Sequence, residues 1–215
     1  EAEIMPNRPD LLSLQGFVRA VRAFLGKEAG IRKYKINDSG NKLIIEKSVP
    51  DEWPYALACI IKGIKFDDSK IKEVIDIQEK LGETFLRKRK KGGIGLYPLE
   101  KIKFPIRFSG LEPEKIKFRP LEYEKEITGL EILQKHPTGR EYANICQNWK
   151  KFPIFIDDKN EIMSMPPIIN SHNLGKIDET TIDVFLEATG NDLKSIQKTI
   201  TIIAVALADM GGKIY

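Results

Sequence analysis

Apolar residues recur along the chain with two periods, and the switches between them divide it into elements. Leu11, Leu14, Val18, Val21 and Leu25 follow helical spacing, which predicts a helix over 11–25 with Asp10 as N-cap and Gly26 as its stop. Two apolar runs follow, at 43–45 and 55–66, and both read as strands. Asp67-Asp68-Ser69 then caps a second helix over 69–89, striped by Ile71, Val74, Ile75, Ile77, Leu81 and Phe85. That helix runs into Arg87-Lys88-Arg89-Lys90-Lys91 and is broken by Gly92-Gly93. Cations in a last turn suit the helix dipole.

A proline-rich zone of strand and loop spans 94–123. Thr128 and Glu131 form a capping box for a short helix to about 135. His136-Pro137-Thr138-Gly139 reads as a turn, with a helical patch near 141–149. A strand over 152–157, a hairpin turn at Asp158-Lys159-Asn160 and a return strand over 161–165 follow, ended by Pro166-Pro167. The last strand is 182–189, closed by Gly190. Asn191 or Asp192 caps a final helix carrying Leu193, Ile196, Ile200, Ile203 and Leu207, which Gly211-Gly212 ends. Strands and helices do not alternate regularly. The pattern predicts an α+β fold: a mixed β-sheet core with flanking helices, in two intimately packed subdomains.

Composition narrows the function classes. The chain has 215 residues, 41% hydrophobic and 31% charged, enough to bury a core without staples. No run of about 18 apolar residues occurs, so no membrane is expected. The start at Glu1-Ala2-Glu3 is acidic and carries no apolar run, so no signal peptide is expected. The chain lacks an initiator methionine and enters abruptly at Met5-Pro6-Asn7-Arg8-Pro9-Asp10, which reads as a segment of a longer polypeptide. Cys59 and Cys146 form neither a disulfide framework nor a zinc pair, and a reducing cytoplasm is the expected compartment. With only His136 and His172, a site of several histidines is excluded, and no metal is expected. The net charge of +4 is compatible with an RNA partner.

The sharpest local chemistry lies in 154–190. On the strand 182–189, Ile182, Val184, Leu186 and Ala188 share one face, and Asp183, Phe185, Glu187 and Thr189 share the other. Glu187 and Thr189 are then neighbours about 7 Å apart. Taken alone, that face is a solvated side with ordinary polar residues. The segment 164–171 changes the picture. Pro166-Pro167 makes a stiff wall without donors of its own, followed by the hydrogen-bonding side chains of Asn170 and Ser171. The basic run Arg87, Lys88, Arg89, Lys90 and Lys91 is either a phosphate-binding stripe or a solvated helix end. His136, His172, Cys59, Cys146, Trp53 and Trp149 read as structural or surface residues. Gly92, Gly93 and Gly95 do not make a phosphate loop, because helix precedes and strand follows them.

Several segments, in order and over almost the whole chain, resemble the archaeal and eukaryotic type of phenylalanyl-tRNA synthetase beta subunit in its editing domain. They are Asn7-Arg8-Pro9-Asp10-Leu11, the basic run with Ile94-Gly95, Gly139-Arg140-Glu141-Tyr142, and 153–157. Further matches are 164–171, Phe185-Leu186-Glu187-Ala188-Thr189-Gly190, and Ala206-Leu207-Ala208-Asp209-Met210-Gly211-Gly212. The resemblance implies a single editing domain over 1–215, without a synthetic active site. ATP and magnesium are implied only for the parent synthetase, and no cofactor for this segment. Implied partners are phenylalanine tRNA and the synthetase alpha subunit.

The implied activity is hydrolysis of tyrosine wrongly attached to phenylalanine tRNA. An apolar synthetic pocket rejects an added hydroxyl only about 100-fold. A second pocket that hydrogen-bonds the hydroxyl discriminates in the opposite sense, because phenylalanine would leave polar groups unpaired. The family pocket matches Phe155, Ser164, Glu187 and Thr189 here. Relatives often carry an aliphatic residue at the first of these and Asp at the third. The resemblance implies Glu187, Thr189 and Ser164 as catalytic-site residues, and Phe155, Pro166, Pro167, Asn170 and Ser171 as substrate contacts. Glu187 has three candidate roles: orienting the substrate amino group, binding the tyrosyl hydroxyl or aligning water. No residue is an obvious general base, and the tRNA ribose is an alternative source of assistance. A non-catalytic RNA-binding module and a subunit-assembly module are the other classes the sequence allows.

Overall fold

The structure, a computed structural model, describes residues 3–28 and 30–215. Glu1 and Ala2, part of the acidic start, lie outside the described residues. In chain order the first half holds α1 (Leu14–Phe24), β1 (Leu43–Ile45), β2 (Tyr55–Lys62), α2 (Asp68–Lys80), β3 (Gly92–Pro98), β4 (Ile106–Leu111), β5 (Lys117–Phe118) and β6 (Ile127–Thr128). The second half holds α3 (Gly129–Lys135), α4 (Pro137–Cys146), β7 (Phe152–Ile156), β8 (Ile162–Met165), β9 (Ile169–Asn170), α5 (His172–Gly175), β10 (Val184–Gly190), α6 (Leu193–Asp209) and β11 (Lys213–Ile214).

The fold is mixed α+β, in four layers. A four-stranded antiparallel sheet runs in the order β11-β2-β10-β3, and a five-stranded sheet runs β1-β4-β7-β8-β9 with one parallel pair. Val184 and Leu186 of β10 pack outward on Val74 and Ile77 of α2 and on Ile203 and Leu207 of α6. The opposite face meets the second sheet, where Ile60, Tyr97 and Phe185 join Ile106, Phe108, Phe155 and Met163. The far side of that sheet is covered by α3 and α4 through Ile132, Leu133, Tyr142 and Cys146. The alternation on β10 is therefore real, but neither face is solvated: all seven residues of Val184–Gly190 are buried.

Several elements differ from the sequence expectation. Ser13, not Asp10, caps α1, accepting from Gly16 N, while Pro9–Leu12 forms a 3-10 turn. Asp10 pairs with Arg8 at 2.8 Å instead. The strand expected over 55–66 ends at Lys62, because Gly63 takes a left-handed φ of 79°. Asp67 caps α2 as anticipated, accepting from Lys70 N. That helix stops being α-helical at Lys80, widens into a π turn at Leu81–Phe85, and does not reach 89. Arg87, Lys88 and Arg89 then take three consecutive left-handed conformations, with φ of 54°, 54° and 59°. Their amides return to the carbonyls of Thr84, Glu83 and Gly82, so the basic run is a reversal folded back on the helix end. The expected turn at 136–139 is instead the start of α4, with His136 as N-cap and Pro137 in the first turn. Among the described residues no helix is long and apolar enough to cross a membrane.

Candidate functional site

The site forms where four strands converge. Glu187 stands at the centre of β10, opposite Gly95 on β3 and Ala58 on β2. Small neighbours leave room for its side chain, and a Cβ at Gly95 would lie 2.6 Å from Tyr97 Oη. Tyr97, two residues along β3 on the same face, reaches the second sheet. Its hydroxyl lies 2.7 Å from Ser164 Oγ on β8, and 3.3 Å from both Asn170 Oδ1 on β9 and Glu187 Oε1. One phenol thus ties Ser164, Asn170 and Glu187 together.

Beside this network a cleft of about 480 Å³ runs between α2, β3 and the segment 166–170. Glu187, Pro166, Pro167 and Asn170 line it, with Gly93, Val74, Ile75, Arg89 and His136. Glu187 is 2% exposed, and its Oε2 has no hydrogen-bond partner among the described residues. Burial pushes its carboxyl up to about 8, a rise that a Tyr97 hydroxyl donating to the carboxylate partly offsets. Burial also drives the Tyr97 phenol well above its ordinary range, aided by the nearby carboxylate. Thr189 Oγ1 is buried, and without a partner among the described residues, on the same strand opposite Gly93. A Cβ at Gly93 would stand 3.1 Å from Pro167 Cα, so glycine there lets the proline wall close onto β3.

The expected residues thus fall into three groups. Glu187, Asn170, Pro166 and Pro167 line the cleft, and Ser164 joins through Tyr97. Thr189 lies alongside, under the wall. Phe155 and Ser171 are elsewhere. Phe155 is fully buried in the core between the sheets, its ring 4.9 Å from Phe108. Ser171 caps α5, accepting from Leu174 N. The basic run also divides. Arg87, Lys88 and Lys90 are exposed. The Arg89 guanidinium donates to Pro167 O and Ile168 O at 3.2 and 3.0 Å and stacks 4.2 Å over the Tyr142 ring. It secures the proline wall. Lys91 pairs with Asp192 at 3.1 Å.

Two residues of the site are not among those the sequence singles out for it: Tyr97 in the hydrogen-bond network and His136 in the cleft wall. Tyr97 sat in an unresolved strand-and-loop zone, though Gly93, Gly95 and Tyr97 at period two were a usable signal. His136 had read as incidental. It is 5% exposed and lines the cleft, with Nε2 at 3.0 Å from Leu121 O and Nδ1 buried without a partner among the described residues. His172, by contrast, accepts from Glu122 N and does not line the cleft. Trp53 and Trp149 pack on each other at 5.7 Å, and burial raises both Cys59 and Cys146 to about 12, leaving them as inert thiols.

No protein-family model matches the chain. Curated proteins do. A phenylalanine-tRNA ligase beta subunit of Archaeoglobus fulgidus is 39% identical over 214 residues, covering 100% of this chain and 39% of that protein. The corresponding subunit of Thermococcus sibiricus is 38% identical over 208 residues, covering 97% of this chain and 37% of that protein. Among solved structures, an N-terminal fragment of the phenylalanyl-tRNA synthetase beta subunit from Pyrococcus horikoshii superposes with a TM-score of 0.93 at 37% identity, covering 97% of this chain and 60% of that one. The chain thus spans 39% of the length of the first of these relatives. In sequence along its whole length, and in fold, the chain belongs with the phenylalanine-tRNA ligase beta subunits.

Proposed function

We propose that the cleft hydrolyses tyrosine from wrongly charged phenylalanine tRNA, as the editing site of a phenylalanyl-tRNA synthetase. The observation that carries this reading is the buried Glu187 Oε2, without a partner among the described residues, in the wall of a cleft where Pro166, Pro167, Val74 and Ile75 supply apolar surface for a ring. An enclosed polar atom is a poor neighbour for a phenyl ring and a good one for a phenol, because only the phenol supplies a hydrogen bond. Of the candidate roles of Glu187, binding the tyrosyl hydroxyl fits this geometry best. Pro166 and Pro167 wall the ring, and Arg89 keeps that wall in place.

The chemistry asked of the protein is modest. The ester joining the amino acid to ribose is already activated, so positioning water and stabilising a developing oxyanion suffice. Ser164 and Thr189 act as hydrogen-bonding groups here, not as nucleophiles: among the described residues Ser164 meets only the Tyr97 phenol, which burial keeps protonated, and Thr189 meets no base. Arg87, Lys88 and Lys90 are the side chains available to tRNA phosphates, and the synthetase alpha subunit completes the assembly. The test is tyrosine release from Tyr-charged phenylalanine tRNA by the whole synthetase. Glu187→Ala should slow release at least tenfold while correctly charged tRNA stays intact. Equal rates for the variant and the parent would remove Glu187 from the site.

A further inference from the structure

Three oxygens converge on a single hydroxyl. Tyr97 Oη contacts Ser164 Oγ, Asn170 Oδ1 and Glu187 Oε1 at 2.7, 3.3 and 3.3 Å. A phenol has one proton to give and two lone pairs to fill. The Asn170 amide is oriented by Nδ2, which donates to Leu96 O at 3.3 Å, so Oδ1 faces Tyr97 and can only accept. A carboxylate at Glu187 can also only accept. Two acceptors would then compete for one proton, and the loser would face a lone pair of the buried Tyr97 hydroxyl.

One additional proton removes the conflict. Placed on Glu187 Oε1, it is donated to Tyr97 Oη. The Ser164 hydroxyl donates to the second lone pair, and the Tyr97 proton goes to Asn170. Each of the three contacts then holds one hydrogen. Charged neighbours do not alter this count. Among the described residues the side chain that hydrogen-bonds Glu187 is Tyr97 from β3, and the groups behind it on that hydroxyl, Ser164 from β8 and Asn170 from β9, are uncharged. Glu79, Arg89, Glu122, His136 and Lys176 line the same cleft, but among the described residues none hydrogen-bonds or pairs with Glu187: the Arg89 guanidinium is committed to the carbonyls of Pro167 and Ile168, and Lys176 to Glu122.

We propose that Tyr97 is a specificity-determining positioning residue, holding Glu187 as a neutral carboxylic acid whose Oε2 accepts the hydrogen bond of a phenolic ligand. The identity of that ligand, a tyrosyl ester, rests on the editing reading; the proton assignment does not. With the acid proton on Oε1, the unpartnered Oε2 is a carbonyl-type acceptor. It receives an O–H and gains nothing from a bare ring.

Infrared difference spectra of the 215-residue chain against its Glu187→Gln variant test the proton directly. The carbonyl stretch of a protonated carboxylic acid should be present at pH 6, absent in E187Q, and lost as pH rises past about 8. Asn170→Leu removes the competing acceptor and frees the Tyr97 proton for a carboxylate. The midpoint of the band should then fall by at least about one pH unit, a tenfold change in protonation ratio. In the whole synthetase, Tyr97→Phe should lower the preference for tyrosyl over phenylalanyl ester release about tenfold. Absence of the band at pH 6, or a midpoint unmoved by Asn170→Leu, overturns the proton assignment. An unchanged preference in Tyr97→Phe overturns the role of Tyr97. A parent synthetase that releases no tyrosine while the band is present defeats the editing reading alone.

Discussion

The Glu187 carboxyl titrates with folding. Its native value of about 8 stands above the ordinary 4.5, chiefly because burial penalises the charge. Between those two values the folded chain holds a proton that the unfolded chain has released. Stability therefore falls as pH rises through that window, and the loss levels off once the native carboxyl ionises. At about 1.4 kcal/mol per pH unit, the cost is about 3 kcal/mol by pH 7 and about 5 kcal/mol above pH 8. Set against a typical total stability of about 5–15 kcal/mol, that is a large share. Glu187→Gln keeps the shape and removes the titration. Urea unfolding of both proteins from pH 4 to 9 should show the glutamine variant gaining on the parent as pH rises. The advantage should grow along that slope and flatten near pH 8. Parallel curves within about 1 kcal/mol across the range would mean that Glu187 is ionised and hydrated in the native state, and the account of the site would fail.

Four further outcomes follow from the geometry. Arg89→Ala should cost about 2–3 kcal/mol in thermal or urea unfolding, because two charge-assisted hydrogen bonds and a stack on Tyr142 are lost together. Arg89→Lys should recover less than half, since an ammonium cannot span two carbonyls and lie flat on a ring. Gly95→Ala places a methyl against both Glu187 and Tyr97, and should destabilise by about 1–3 kcal/mol while tyrosine release falls more than tenfold; parental release would show that close approach of β3 does not matter. Replacing Arg87, Lys88 and Lys90 together by Ala should leave the melting temperature unchanged, as all three are exposed, and should reduce the slope of log affinity for tRNA against log salt by about 2–3.

Local physics made much of the scaffold legible. The caps at Asp67 and Asp192 and the box at Thr128–Glu131 each depend on a side chain and an amide three residues apart, and each is present. The hairpin of β7 and β8 and the stripe of α6 likewise follow from patterns within a few residues. Where neighbours in space override neighbours in sequence, the structure departs from the local pattern. The basic run looked like a helix end, yet its three left-handed residues turn the chain back to seat Arg89 on the proline wall. Ser171, expected as a substrate contact, is placed by the structure as the cap of α5, its hydroxyl accepting from Leu174 N. Phe155 faces the intersheet core, among the rings of Phe108 and Phe185.

By itself the sequence determined the periods, the caps, the α+β class and the side of β10 on which Glu187 and Thr189 stand. Only the tertiary structure decided that this side is dry, because a second sheet, from residues distant in the chain, covers it. It also decided that Tyr97, Ser164, Asn170 and Glu187, drawn from β3, β8, β9 and β10, meet at one hydroxyl. Side-chain alternation fixes a direction within a strand. Desolvation and proton sharing depend on what lies across the gap, and no local pattern encodes that.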